Sequence, residues 1–111
     1  MNILNEFEIA ILEFMVSEGQ PLKCVIDNLR VRDRTYTSCG VYVDFLVPVE
    51  NLNSNSQSIG FCSEINIPNI SQALQADLTA QDGYPSSLEI VTLGGESWNG
   101  THEGFQIETN T

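Results

Sequence analysis

The sequence predicts an α+β domain: an N-terminal helix packed on a single antiparallel sheet of about five to six strands. Three observations carry this expectation. The apolar period is close to 3.6 residues before Pro21 and close to two after it. The second part consists of short runs rich in Val, Ile, Phe and Tyr, punctuated by Gly, Pro, Asn and Asp. The chain has 111 residues, of which 41% are hydrophobic, enough for one self-supporting core over residues 1–111.

The helix is expected over residues 3 to 17, where Ile3, Phe7, Ala10, Ile11, Phe14 and Met15 share a face and Glu6, Glu13 and Ser17 are left to water. Asn2 or Asn5 can cap it, Glu6 and Glu8 suit its positive end, and Gly19 with Pro21 stops it. Ile9 and Leu12 broaden the apolar cover, as packing against a sheet requires. A helix lying on a membrane surface would carry Lys and Arg on its polar face, and this one has none.

A first strand is expected over 22 to 33, bent near Asn28, with Arg30, Arg32 and Arg34 alternating on one face opposite acids such as Asp44. A second, over 37 to 47, directs Val41, Val43, Phe45 and Val47 inward and Tyr42 and Asp44 outward. Residues 49 to 57 have the Asn and Ser chemistry of a loop. A third strand over 58 to 66 puts Ile59, Phe61 and Ile65 on one face. Residues 72 to 81 fit either a helix through Leu74 and Leu78 or a strand through Leu74, Ala76, Leu78 and Ala80, and the strand is preferred. Asp82-Gly83 turns the chain into a fifth strand over 86 to 93, with Leu88 and Ile90 inward; Gly94-Gly95 breaks it, and Phe105 to Glu108 can add an edge strand.

Charge is unevenly placed. All four bases (Lys23, Arg30, Arg32, Arg34) precede Thr35, and the remainder of the chain carries nine carboxylates and no base, within a net charge of −11. Such a field repels a phosphate backbone and attracts a cationic surface, so direct nucleic-acid binding is not expected and a basic partner is. No apolar run approaches the length of a bilayer span, and the first residues offer neither the positive region of a secretory signal nor the Arg of a transit peptide, which points to the cytoplasm without membrane attachment. Cys24, Cys39 and Cys62, an odd number with no C-x-x-C pair, read as reduced thiols.

No constellation of nucleophile, base and orienting group is apparent, and no catalytic residue, cofactor or metal ligand is assigned. His102, the only histidine, lies in the Gly-flanked run Asn99 to Gly104 and is expected to be solvated on a loop. The aromatic residues Tyr84 and Trp98, flanked by Asp82 and Glu96, have the amphipathic character of interface anchors, although Trp98 suits a core equally well. With Glu89 and Glu103 they form the expected partner-binding set: Asp82, Tyr84, Glu89, Glu96, Trp98 and Glu103.

The run Tyr36-Thr37-Ser38-Cys39-Gly40-Val41-Tyr42-Val43-Asp44-Phe45, followed by Asp82-Gly83-Tyr84, Leu88-Glu89 and Gly94-Gly95-Glu96-Ser97-Trp98, resembles a group of small acidic bacterial proteins. In these a helix precedes a strand with a T-G-x-G-F-Y-like run and a C-terminal D-G-Y, L-E, E-x-W pattern. Here Ser38-Cys39 stands where Thr-Gly is common, and Pro85 follows the Tyr. Proteins of this kind resemble the immunity proteins of bacterial toxin systems, including contact-dependent growth inhibition. The resemblance implies a neutraliser of a cognate basic toxin domain, a nuclease such as an RNase, that acts by covering its active site. An acidic nucleic-acid mimic, a small ligand-binding domain and a structural subunit are the alternatives.

Overall fold

The computed structural model describes residues 3–17, 26–46, 56–81 and 84–107. One helix, α1 (Glu6–Ser17), packs on a sheet built from β1 (Val31–Tyr36), β2 (Gly40–Phe45), β3 (Ser56–Asn66), β4 (Leu74–Gln81), β5 (Tyr84–Thr92) and β6 (Gln106–Ile107). The strand order is β1-β2-β5-β4-β3-β6, and every pairing is antiparallel. The expected class is therefore the observed one.

α1 opens with a capping box. Asn5 Oδ1 accepts the Glu8 amide at 2.8 Å and Glu8 Oε1 accepts the Asn5 amide at 2.9 Å, so two otherwise orphaned donors are satisfied reciprocally. Phe7, Ile11, Leu12 and Met15 are buried, Phe14 lies half-buried at the margin of the core, and Ile3 stays exposed in a bridge to Arg30. The helix meets the sheet over β3 and β6. A Cβ at Gly60 would come within 2.9 Å of Met15 Sδ, so the missing side chain in β3 lets α1 approach the sheet there.

The sheet supplies the rest of the core through period-two alternation. β2 buries Val41, Val43 and Phe45 and leaves Tyr42 exposed; β5 buries Leu88 and Ile90; β4 buries Leu74, Ala76, Leu78 and Ala80 without exception. The last pattern resolves the helix-or-strand ambiguity in favour of the strand. Irregularities in β1, β3 and the β4–β5 pair add bends of the kind that curl a sheet around one helix. Pro85 sits beside one of them, beyond the last residue that β5 pairs with β2, where its missing N–H leaves no gap in that ladder.

Several expectations are corrected. A single 3-10 turn, Ile26–Asn28, replaces the bent start of the first strand, and β1 begins at Val31 and continues to Tyr36. Asp and Asn compete for backbone hydrogen bonds in turn conformations, which favours this local break. Arg30, Arg32 and Arg34 do not form one stripe opposite Asp44, because Arg32 is the extra residue of a bulge between Val31 and Asp33. The bulge sets Asp33 opposite Asp44 and turns Arg34 toward the helix. His102 is not solvated: its ring stacks on Phe7 at 5.3 Å and 7° and meets Phe105 edge-on, with 26% of the side chain exposed. The second strand starts at Gly40, the third at Ser56 and the fifth at Tyr84. The Gly19–Pro21 stop, Asn2, Lys23, Cys24, Val47, residues 49–55, the Asp82-Gly83 turn, Glu108 and the side chains of Ile59 and Phe61 lie outside the described residues.

Candidate functional site

The register of the sheet decides which polar residues share a surface. On the side away from α1, Asp33 of β1 faces Asp44 of β2, and Asp44 faces Ser87 of β5. One step along, Thr35 faces Tyr42, Tyr42 faces Glu89, and Glu89 faces Asp77 of β4. Residues two apart on a strand are separated by about 7 Å, so these two rows are adjacent and form one patch. Tyr84, opposite Gln81, extends the same face toward the start of β5. Among the described residues no helix covers it.

Four carboxylates thus lie on the patch as two facing like-charged pairs, Asp33 with Asp44 and Asp77 with Glu89. Directly opposed side chains have Cβ atoms about 5 Å apart, and like charges in that position destabilise a sheet. Local donors relieve part of the repulsion. Ser58 Oγ donates to Asp77 Oδ1, and Arg32 stands 3.7 Å from Asp33 with both side chains well exposed. Tyr42 donates its hydroxyl to Glu89, a bond that, with the nearby charge, raises the phenol pKa above its usual value. Exposed ion pairs of the Arg32–Asp33 kind contribute little. The face remains strongly acidic.

Arg32 offsets only Asp33 on this face, and Arg34 does not reach it. Arg34 lies on the helix side, where Nε donates to Glu8 Oε2 at 2.8 Å and Nη2 to Glu8 Oε1 at 2.7 Å. Glu8 is 3% exposed at its side chain, and its hydrogen bond raises the Arg34 pKa further above its already high value. Nη2 also donates to the Ile3 carbonyl at 2.9 Å, tying the chain before α1 to the sheet.

The expected partner-binding residues divide between three places. Tyr84 and Glu89 lie on the open acidic face. Glu96 and Trp98 belong to the segment after β5: Trp98 is 6% exposed, packs edge-on against Phe7 at 6.3 Å and donates Nε1 to the Thr101 carbonyl, which is the core role. Glu103 is exposed on the turn before β6, and Asp82 lies outside the described residues. Asp33, Asp44, Asp77 and Tyr42 were not in the expected set, Asp44 having been expected outward as a partner for the arginines. Asp77 and Tyr42 could have been found from the outward phase of their strands, whereas Asp33 depends on the bulge.

Glu96 has a structural task. Its carboxylate accepts the Ser71 amide at 3.0 Å, Ser71 Oγ at 2.8 Å and the Gln72 amide at 3.3 Å. The Ser71 backbone bond and then its hydroxyl lead in holding the carboxyl pKa below its ordinary value of 4.5. A depressed folded value means that the contribution to stability is complete above the ordinary value and is lost as pH falls through the folded one. The clasp is therefore expected to hold at neutral and mildly acidic pH. The Ser71 and Gln72 amide shifts, followed by NMR during acidification, should move together with a midpoint below 4.5.

Among the described residues no helix is long and apolar enough to cross a membrane, and no group of three or more His, Cys, Asp or Glu could hold a metal ion. Comparison with protein-family models, curated proteins and solved structures returns no match.

Proposed function

We propose that the chain is a binding protein that neutralises a basic toxin domain, a nuclease in the first instance, by covering its phosphate-binding cleft with the open acidic face of the sheet. The observation that carries this reading is the pair of facing carboxylate pairs, Asp33–Asp44 and Asp77–Glu89. Repulsion between opposed like charges is a cost in the free protein, and an incoming Lys or Arg removes it. A nuclease must present cations to phosphates, so its active site offers a matching partner. Tyr42, 41% exposed, and Tyr84 add aromatic surface at the same face. Aromatic residues at an interface supply the desolvated contacts that slow dissociation, while the charges accelerate encounter.

Co-expression with the product of the neighbouring upstream gene, where that gene encodes a basic nuclease domain, is the test. Protection of growth by the native chain, lost when Asp44, Asp77 and Glu89 are replaced together by Lys in a protein that still folds, is the expected result. Undiminished protection by that variant would remove the open face from the account. Capture of a DNA-binding protein, with no affinity for the toxin domain, would favour a nucleic-acid mimic.

A further inference from the structure

A concave surface lies apart from the acidic face, and none of its lining residues belongs to that face. It is a cleft of about 370 Å³ where the β1–β2 hairpin meets the segment after β5, lined by Ser38, Ile67, Asn69, Ile70, Ser97, Trp98, Asn99 and Thr101. The hairpin and the segment are joined by the Trp98 amide donating to the Ser38 carbonyl at 2.9 Å. The turn that follows is set by the Thr101 amide donating to Asn99 Oδ1 at 3.0 Å and by Gly100 at φ 89°, where a Cβ would come within 2.6 Å of the Tyr36 ring. The walls are thus held in place before any ligand arrives.

The lining carries no charged side chain, in a chain whose net charge is −11. Glu96, next to Ser97 in sequence, is not among the lining residues, and its carboxylate is held by Ser71 and Gln72. Ile67, Ile70 and Trp98 give an apolar floor, with the indole N–H already committed to Thr101. The rim is made of hydroxyls and amides, and among the described residues the side chains of Ser38, Asn69 and Ser97 have no hydrogen-bond partner, leaving donors and acceptors for a ligand. A binding site of this kind combines an apolar surface with a few fixed polar groups, and the volume lies at the small end of the range for small-molecule pockets.

We infer that this cleft binds a neutral, hydroxyl-rich small molecule of mono- to disaccharide size. Its C–H surface lies on Ile67, Ile70 and the exposed edge of Trp98, and its hydroxyls exchange hydrogen bonds with Ser38, Asn69 and Ser97. An ionic ligand would be desolvated here with no opposite charge to meet it.

Trp98 is the chain's only tryptophan, so fluorescence excited selectively at the red edge, where the three tyrosines do not absorb, reports on this cleft. Titration with glucose, N-acetylglucosamine and sucrose to tens of millimolar, with saturation-transfer NMR on the same samples, is the experiment. Saturable binding of at least one of them is expected, weaker for glucuronate and glucosamine, and reduced about tenfold in Asn69→Ala and in Ser97→Ala through loss of one hydrogen bond. Both side chains are exposed, so these variants should fold as the native chain does. Absence of saturable binding to any of the three neutral sugars, equal binding of the charged ones, or undiminished binding by the double variant would overturn the inference. None of these outcomes bears on the acidic face.

Discussion

Arg34→Ala should destabilise the protein by about 3–5 kcal/mol, because it leaves a buried carboxylate without its cation. Glu8 is 3% exposed, and after the substitution it would retain only the Asn5 amide of the capping box. Against a total stability of about 5–15 kcal/mol for a natural domain, that loss threatens the fold itself. The cause can be separated from loss of packing. Glu8→Gln introduced into the Arg34→Ala background keeps a capping-box residue while removing the orphaned charge, so it should recover a substantial part of the loss. Urea denaturation of the two variants decides the matter. A double variant no more stable than Arg34→Ala would show that the guanidinium matters for packing or for its bond to the Ile3 carbonyl rather than for Glu8.

Glu89→Lys is expected to act in opposite directions on stability and on binding. In the free protein it converts the facing Asp77–Glu89 pair into an opposite-charge pair, a gain of about 0.2–1 kcal/mol, reduced by loss of the Tyr42 hydrogen bond. On the surface it reverses a charge at the centre of the face proposed to meet a basic partner, and on that proposal the association rate at low salt should fall about tenfold or more. Thermal denaturation and surface-plasmon kinetics on the same preparation read the two effects. A variant that loses stability and binding together would make Glu89 a structural residue. One that keeps both would put the partner elsewhere.

Much of the fold could be read from residue order because local rules and burial agree. Alternation in Val41, Val43 and Phe45, and in Leu74 through Ala80, places the same residues inward by sequence and by structure. The helix face was read less completely. Glu8 looked like a carboxylate favoured by the helix dipole, yet the capping box and Arg34 bury it, and the partner comes from 26 residues along the chain. The arginine stripe failed for a related reason: one extra residue at Arg32 moves every later side chain to the other face, and periodicity alone cannot place a bulge. His102 was misjudged because flanking glycines suggested an exposed loop, whereas Trp98, which suited a core and an interface equally, takes the core role. Gly100 and Gly104, both at positive φ, instead belong to turns in a segment whose rings pack on Phe7. The candidate face was half legible. Tyr42, Asp44 and Glu89 follow from strand phase, but that two like-charged pairs stand opposite each other depends on inter-strand register, which one strand read by itself does not contain.

The proposed guidance of this chain onto a cationic protein by the acidic sheet face can be read from stopped-flow association with a basic nuclease domain across a salt series. At an ionic strength of about 0.1 M the screening length is about 10 Å, so raising salt weakens the long-range field while leaving desolvated contacts nearly intact. The association rate is expected to fall steeply with salt while the dissociation rate changes little, and replacing Asp44, Asp77 and Glu89 by Lys should flatten or invert the slope. An association rate independent of salt, or a slope unchanged in that variant, would contradict it.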